Sequence, residues 1–404
     1  MRTGNITLVK KMNKQLVLKL IREKHPISRA DIAKTTGLNK ATVSALVDEL
    51  IAEHFVHESG IGESTGGRRP LMLRFNADAG SLVGIELGVN YLYAVLTNLN
   101  AEIIWEQRRS FRPTEGQEAI VGEMAELIEA AIRRAPATPY GVMGIGIGVP
   151  GVVHTESGTV VFAPNLRWGD VALASALQKR WPHHPIIVEN EAKLAALGEK
   201  WFGAGKEFAH FVYISAGIGI GAGVVLQHQL YRGVNGLAGE IGHHTIDLNG
   251  IRCSCGNIGC WEMYASEKYI ERRLAEQGRS EWLGDRFSVA AMALAAESDE
   301  QLARILEEAG RYLGIGLLQT VYAYNPEAVI IGGSLAQAGE HVLDPARQEV
   351  KRRILVKKES EPYIIPSELK EKSCAIGAAA SVLEAVVLPP EFEPALPAPQ
   401  AKQG

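Results

Sequence analysis

The sequence predicts an α/β protein that begins with a winged helix-turn-helix and continues as two α/β lobes. Charge is the first reason: residues 1–76 contain 13 Lys and Arg against 7 Asp and Glu, whereas the remainder is acidic. Short helical segments around a glycine turn are the second, and strand-rich runs alternating with helical runs from residue 80 are the third. A basic first fifth joined to an acidic body indicates an appended nucleic-acid-binding module.

Composition is that of an ordinary globular protein with two or three domains. The chain has 404 residues, of which 46% are hydrophobic and 22% charged. Its N-terminus is polar and basic, and no run of twenty apolar residues occurs. We therefore expect neither secretion nor membrane insertion, and clustered reduced thiols agree with a cytoplasmic location.

Three helices are predicted in the basic segment. The first covers residues 13–24, where leucines alternate with charged residues, and Pro26 ends it. Ser28 is expected to cap the second helix and Asn39 the third, because short polar side chains accept hydrogen bonds from free helical N–H groups. Gly37 supplies the tight turn between them, which is the helix-turn-helix arrangement.

A β-wing is predicted after these helices. Its predicted strands are residues 55–58 and 71–75. The glycine-rich tip between them contains two arginines, which suit insertion into a narrow minor groove of DNA. Small polar and basic side chains of the second and third helices are expected to reach base edges or phosphates. The predicted DNA-contacting residues are Ser28, Arg29, Asn39, Lys40, Thr42, Ser44, Arg68 and Arg69. A three-helix module for protein contacts is the alternative.

From residue 80 the pattern predicts two units, each with three strands followed by a helix, which face each other across a ligand-binding cleft. The predicted strands are 82–87, 91–97, 102–106, 144–149, 186–188, 208–214, 221–226 and 328–331, and the predicted helices are 118–134, 191–201, 301–324 and 373–387. The expected domains are a DNA-binding domain (1–76), a first lobe (80–188 with 371–387), a second lobe (189–370) and a disordered Pro-rich tail (388–404).

A cluster of thiols and one imidazole predicts a structural zinc site. His243, Cys253, Cys255 and Cys260 lie within eighteen residues, and they supply the four ligands of a closed tetrahedral site. The alternative is a surface loop of reduced, metal-free thiols. The remaining cysteine, Cys374, is expected to be a buried apolar residue of the last helix.

Several motifs resemble those of the ROK family (repressors, open reading frames and sugar kinases). They are Val149-Pro150-Gly151, Ala163-Pro164-Asn165-Leu166, Glu189-Asn190-Glu191, and Gly-Glu-Ile-Gly-His at 239–243, which is followed by Gly259-Cys260-Trp261-Glu262. The resemblance implies a bilobal actin-like (RNase H-like) domain with a sugar site in its cleft. Carried over by resemblance, the sugar-binding residues are Asn165, Asn190, Glu191, Glu240, His243 and Glu262. Trp168 is expected either under a sugar ring or in the core.

Kinase members of the family carry Asp-x-Gly-Gly-Thr at the first phosphate-binding turn, whereas this chain has Glu86-Leu87-Gly88-Val89-Asn90. Glu191 stands where the kinases have the aspartate that acts as general base, and a displacement of about 1 Å can cost roughly a hundredfold in rate. The chain is therefore expected not to be an enzyme, and a sugar kinase with residual activity is the alternative.

The basic segment is most similar to that of xylose repressors from Gram-positive bacteria. This resemblance implies operator DNA and a sugar effector, with xylose favoured, as partners. Because helix-turn-helix regulators usually bind palindromic sites as dimers, a homodimer or a dimer of dimers is expected.

Overall fold

The computed structural model describes residues 6–61, 69–284, 287–355 and 361–388. Its N-terminal segment contains three helices and a small antiparallel sheet of order β1-β3-β2. The elements are α1 (Ile6–Lys24), β1 (Ile27–Ser28), α2 (Arg29–Thr36), α3 (Lys40–Ala52), β2 (Val56–Ile61) and β3 (Leu71–Phe75). The predicted tip of the β2–β3 hairpin, including Arg68, lies outside the described residues, as do residues 389–404 of the predicted tail.

The predicted helix boundaries at α2 and α3 are confirmed. The Ser28 hydroxyl accepts a hydrogen bond from the Asp31 amide, and Asn39 Oδ1 accepts one from the Thr42 amide at 2.7 Å. Gly37 ends α2 with a φ of 71°, a conformation that glycine adopts without steric cost. Local side-chain chemistry therefore determines where these helices begin and end.

Two five-stranded sheets with the same strand order form the body. The first has order β6-β5-β4-β7-β11 and the second β14-β13-β12-β15-β16, and in each sheet two antiparallel pairs are followed by two parallel pairs. The first sheet comprises β4 (Ser81–Leu87), β5 (Tyr91–Asn98), β6 (Ile103–Ser110), β7 (Val142–Val149) and β11 (Ile186–Asn190). The second comprises β12 (Phe211–Ala216), β13 (Ile220–Leu226), β14 (Gln229–Tyr231), β15 (Ala328–Gly332) and β16 (Tyr363–Pro366). The predicted pair of similar units is thus confirmed.

The helices of the body are α4 (Gln117–Arg134), α5 (Leu173–Gln178), α6 (Glu191–Phe202), α7 (Glu267–Glu276), α8 (Val289–Ala296), α9 (Glu300–Tyr324), α10 (Glu340–Arg353) and α11 (Ser373–Val386). The predicted helices correspond to α4, α6, α9 and α11. The pattern missed α5, α7, α8, α10, β14 and β16. It also missed a small sheet formed by β8 (Val152–His154), β9 (Thr159–Ala163) and β10 (Trp168–Val171). Most of these missed elements are short, so periodicity over a long window says little about them.

Two helices cross between the sheets and pack against each other. Helix α6 follows the first sheet and packs on β12 and β13, whereas α11 follows the second sheet and packs on β4 and β7. Their backbones are in direct contact, since a Cβ atom placed on Gly377 would lie 1.7 Å from the Leu194 carbonyl oxygen. The two helices therefore form one packed unit between the sheets.

Substituting Gly377 by alanine tests this contact. The added methyl group would meet backbone atoms, which cannot move aside as a flexible side chain could. We expect Gly377→Ala to destabilise the protein by about 1–3 kcal/mol, the usual range for overpacking. Scanning calorimetry would measure this as a lower Tm.

Gly122→Ala on α4 is the matched control, because a Cβ atom there meets no atom of the described residues within 4 Å. Alanine favours helix by up to about 1 kcal/mol over glycine, so this variant should be slightly more stable. Equal Tm values for the two variants would contradict the direct packing of α6 on α11.

The N-terminal segment shares one hydrophobic core with the body. Ile21 and Leu73 of the N-terminal segment belong to the same buried cluster as Leu82 of β4 and Leu383 of α11. The Phe55 ring also stacks on Tyr140, with centroids 5.0 Å apart, and the Tyr140 hydroxyl donates to the Glu53 carbonyl oxygen. The N-terminal segment is thus packed on the body.

No helix within the described ranges has both the length and the apolar character needed to cross a membrane.

Candidate functional site

A cleft of about 720 Å³ lies between the two large sheets. It is lined by turns at the carboxyl ends of the strands and by the loop that follows β14. All six residues predicted to bind sugar line this cleft: Asn165, Asn190, Glu191, Glu240, His243 and Glu262. Their contact with a sugar remains a prediction, but residues far apart in the sequence do meet at one concave site.

The junction of β11 and α6 positions Asn190 and Glu191. Asn190 caps α6, because its Oδ1 accepts hydrogen bonds from the amides of Ala192 and Lys193. Its Nδ2 donates to the Gly151 carbonyl oxygen at 2.9 Å, which ties α6 to the turn after β7. The cleft side chains at this junction are therefore held by the start of a rigid helix.

The loop after β14 is held close to the second sheet. A Cβ atom on Gly239, which has a φ of 93°, would lie 2.2 Å from the Ala222 carbonyl oxygen. The following Glu240 lines the cleft, and a short 3-10 turn, Ile241–His243, brings His243 to it as well. Glycine thus permits the backbone approach that places both polar residues at the cleft.

The four predicted metal ligands form a single group. The ligand atoms of His243, Cys253, Cys255 and Cys260 all lie within 4.8 Å of one another, so the group could hold a metal ion. Cys255 Sγ is 3.7 Å from Cys260 Sγ, and Cys253 Sγ is 3.7 Å from His243 Nδ1. The imidazole therefore turns Nδ1 toward the thiols while its residue lines the cleft.

Glu262 connects this cluster to the cleft. Its carboxylate accepts a hydrogen bond from Cys253 Sγ at 2.9 Å, and it also lies beside Gly219 of the glycine-rich turn between β12 and β13. The neighbouring Trp261 is buried, and its Nε1 donates to the Tyr312 carbonyl oxygen of α9. Burial of the indole anchors the cysteine loop on the second lobe.

The first turn of the body is filled by an aromatic side chain. The Tyr91 ring lies against Gly88, its hydroxyl donates to the Glu86 carboxylate, and the Arg108 guanidinium lies 3.6 Å from the ring centroid. Sequence reasoning missed Tyr91 and Arg108. Their strand positions marked them only as residues of β5 and β6, and no motif contains them.

Two carboxyl groups, the buried Glu86 and the half-buried Glu191, line the cleft on this side. Removal from solvent, together with the nearby charges of Glu86 and Glu240, raises the pKa of Glu191 to about 8. Burial also raises the pKa of Glu86 to about 7, although the hydrogen bond from Tyr91 opposes that shift. The second oxygen of Glu86 has no hydrogen-bond partner among the described residues. Near neutral pH these two groups are therefore partly or largely protonated, and this end of the cleft carries less negative charge than two free carboxylates would.

Trp168 and Cys374 take the positions that core residues take. Trp168 is buried in the hydrophobic cluster of the first lobe, so of the two expected positions it takes the one in the core and not the one under a sugar ring. Cys374 is buried on α11, as predicted.

The predicted DNA-contacting residues differ in their exposure. Asn39, Lys40 and Arg69 are exposed, and Thr42 and Ser44 are half-buried on α3. The structure does not support the predicted DNA contact of the Ser28 side chain. Ser28 is 3% exposed, and its hydroxyl also donates to the Asp31 carboxylate. An occupied, buried hydroxyl is not available to DNA.

Arg29 is engaged within the protein. Its guanidinium pairs with Asp48 of α3 at 2.7 Å and with Glu58 of β2 at 3.3 Å. These contacts hold α2 against α3 and the hairpin, so Arg29 already has two carboxylate partners.

Comparison with known proteins agrees with this architecture. Residues 82–385 match the sequence profile of the ROK family, and the chain belongs to that family. Its paired sheets are the actin-like sheets of the ROK domain. The chain is 42% identical to the xylose repressor of Caldicellulosiruptor bescii, over 96% of this chain and the whole of that protein.

Two solved structures are similar over long stretches. A ROK family transcriptional regulator, a homologue of the E. coli MLC protein, matches with a TM-score of 0.78 and 28% identity over 93% of this chain and 96% of its own. A ROK family glucokinase from Streptomyces griseus, in complex with glucose and AMPPNP, matches with a TM-score of 0.67 and 30% identity. That match covers 74% of this chain and 98% of the glucokinase.

Proposed function

We propose that this protein is a sugar-responsive transcriptional repressor that binds operator DNA and releases it when a sugar, xylose by preference, occupies the cleft. Similarity to a xylose repressor over 96% of the chain carries the proposal, because it includes both the basic N-terminal segment and the cleft. The Tyr91 ring, which packs against Gly88 at the first turn, occupies the place where a kinase needs an open phosphate-binding turn, and this argues against a kinase.

The N-terminal segment is the proposed winged helix-turn-helix domain, residues 1–76. Asn39, Lys40, Thr42 and Ser44 on α3 would reach the major groove, and Arg69 beside the hairpin tip would reach the minor groove. Arg68, which is proposed for the same role, lies outside the described residues. Ser28 and Arg29 instead serve the packing of this domain.

The cleft belongs to two lobes, proposed as residues 80–188 with 371–387 and residues 189–370. Asn165, Asn190, Glu191, Glu240, His243 and Glu262 offer carboxylate, amide and imidazole groups that suit the hydroxyl groups of a sugar. Sugar binding would draw the two lobes together.

Structural zinc is the proposed ion of the cysteine cluster. A donor set of three thiols and one imidazole is typical of closed zinc sites. Thiolates bound at about 2.3 Å to a tetrahedral zinc lie roughly 3.8 Å apart, close to the 3.7 Å between Cys255 and Cys260. The four residues would hold zinc and thereby fix the loop whose chain continues from Cys260 to Glu262 at the cleft.

A homodimer or a dimer of dimers is proposed as the DNA-binding form, since helix-turn-helix proteins read palindromic sites whose halves lie about one DNA turn apart. Cleft closure would change the distance between the two N-terminal DNA-binding domains of the dimer, here called the heads (residues 1–76 of each chain). This change would favour the state with lower operator affinity.

The experiment that tests the function is fluorescence anisotropy with DNA from upstream of the gene that encodes this chain. We expect specific binding that xylose weakens at constant salt. Binding weakened only by another sugar would retain the repressor and exclude xylose. The absence of sequence-specific binding, together with ATP-dependent sugar phosphorylation, would replace the repressor by the kinase.

Substitution of Lys40 tests the proposed reading helix. Lys40 is exposed at the first turn of α3, so Lys40→Ala should remove one contact and weaken operator binding by about 1–3 kcal/mol if it reads a base. If Lys40 contacts a phosphate instead, Lys40→Ala should weaken binding equally on all DNA sequences. The slope of log affinity against log salt concentration should then fall in magnitude by about 1.

Lys351→Ala is the control, because Lys351 is an exposed lysine of α10 in the second lobe and gives the same change in net charge. Equal operator affinities for the two variants would contradict the assignment of α3.

A further inference from the structure

Arg22 of α1 is buried between aromatic rings at the junction of the head and the body. Its guanidinium carbon lies 4.5 Å from the ring centroid of Trp201, 5.1 Å from that of Phe202 and 5.9 Å from that of Phe75. The residue is 9% exposed, and its Nε has no hydrogen-bond partner among the described residues. A cation in such a position contacts ring faces that belong to both parts of the protein.

Stability alone does not account for this arginine. Burying a charged group with an unpartnered N–H is costly, and apolar replacements of buried ions are often neutral or stabilising. Burial lowers the pKa of Arg22 to about 10, so the guanidinium still carries its charge at neutral pH. A planar cation between rings accepts a narrower set of orientations than an aliphatic side chain would.

The two principal rings belong to the helix that begins in the cleft. Asn190 and Glu191 line the cleft at the start of α6, and Trp201 and Phe202 end the same helix. Twelve residues of α-helix span about 18 Å. One rigid element therefore runs from the proposed sugar ligands to the aromatic contact with α1.

Helix α6 cannot easily move apart from α11. Glu384 of α11 accepts hydrogen bonds from Lys200 Nζ at 2.7 Å and from Trp201 Nε1 at 2.6 Å. Gly198 lies against the backbone of Gly377 on the same helix. A displacement of the cleft end of α6 would therefore pass through a packed pair of helices to the rings that hold Arg22.

We propose that Arg22 is a positioning residue, which couples the orientation of the DNA-binding head to the cleft through α6. This inference rests on the proposed repressor function and identifies the contact that transmits its signal. The head is also held by the shared core and by the stacking of Phe55 on Tyr140, so it remains docked when Arg22 is replaced. Loss of Arg22 then removes the orientation signal and retains the attachment.

Arg22→Met is the test, because methionine fills a similar volume and has no charge. We expect unchanged xylose affinity by calorimetry, a Tm equal to or above that of the unsubstituted protein, and retained operator binding. The ratio of operator affinities without and with xylose, about 5- to 150-fold for typical coupling, should fall below about threefold. Coupling is reciprocal, so operator DNA should also cease to change the xylose affinity.

Arg133→Met is the control, since the Arg133 side chain is 65% exposed on α4. Phe202→Leu removes one ring face without touching a charge and should weaken the coupling in the same direction. It is the second variant should Arg22→Met fail to fold.

The outcomes separate the two levels of inference. If xylose weakens operator binding as strongly in both Arg22→Met and Phe202→Leu as in the unsubstituted protein, the proposed role of Arg22 is wrong. The proposed repressor function would still stand. An unsubstituted protein whose DNA binding ignores xylose and every other sugar tested would overturn the proposed function, and the coupling role with it.

Discussion

Replacement of Cys260 by alanine is expected to remove the bound zinc and to destabilise the cysteine loop. Cys260 is fully buried and lies 3.7 Å from Cys255, so its loss leaves three of the four proposed ligands. Loss of a structural metal is among the few changes that cost more than about 4 kcal/mol. Metal analysis of the gel-filtered protein should give less than one zinc per chain, and calorimetry should give a lower Tm.

The effect should reach the cleft through Glu262, which contacts Cys253 and lies two residues after Cys260. We therefore expect limited proteolysis to cut the loop between residues 243 and 260, and xylose affinity to fall with the zinc content. Cys374→Ala is the thiol control, because Cys374 is on α11 and outside the cluster. Full zinc content in Cys260→Ala, or equal loss in Cys374→Ala, would contradict the proposed ligand set.

A rise of pH from 5 to 9 is expected to lower the stability of the protein through Glu86 and Glu191. Burial raises the pKa of these carboxyl groups to about 7 and about 8, from a reference value of 4.5. The folded state therefore binds more protons than the unfolded state between these values, so the free energy of unfolding falls as pH rises. The contribution is fully present below pH 4.5 and is lost above the folded pKa values.

Glu191→Gln isolates this effect, because glutamine has a similar shape and does not ionise. The pKa of Glu191 rises from 4.5 to about 8, and most of this difference acts between pH 5 and 9, so the unsubstituted protein should lose on the order of 4 kcal/mol more than the variant over this range. Tm measured at several pH values is the readout. Glu118→Gln, at an exposed position of α4, should keep the steep dependence. Parallel Tm curves for Glu191→Gln and the unsubstituted protein would show that the pKa of Glu191 is not raised in the folded protein.

Where side-chain chemistry is local, the sequence was sufficient. Ser28, Gly37 and Asn39 predicted the ends of α2 and α3, since capping depends on residues three or four positions apart. The cysteine spacing predicted the cluster because its ligands lie in one short loop. The longer helices of the body, α4, α6, α9 and α11, were predicted with boundaries close to those observed, because their periodicity persists over many residues. The start of α1 was predicted wrongly, since the helix begins at Ile6 and not at residue 13.

Contacts between distant segments could not be predicted in this way. Ser28 was assigned to DNA from its place in the helix-turn-helix, yet packing buries it. The Arg108 guanidinium reaches the Tyr91 ring only because β6 pairs with β5, the strand that follows the first turn. Arg22 carried no motif at all, and its contact with Trp201 spans the head and the body.

By itself, the sequence determined the two α/β units, the caps of α2 and α3, the grouping of His243 with three cysteines, and six of the residues that line the cleft, because each depends on local spacing or on a motif. Only the tertiary structure decided how Glu86 and Glu191 come to line one cleft and how α6 joins that cleft to Arg22. Burial and approach between distant segments depend on how whole elements pack, and no local pattern encodes that packing.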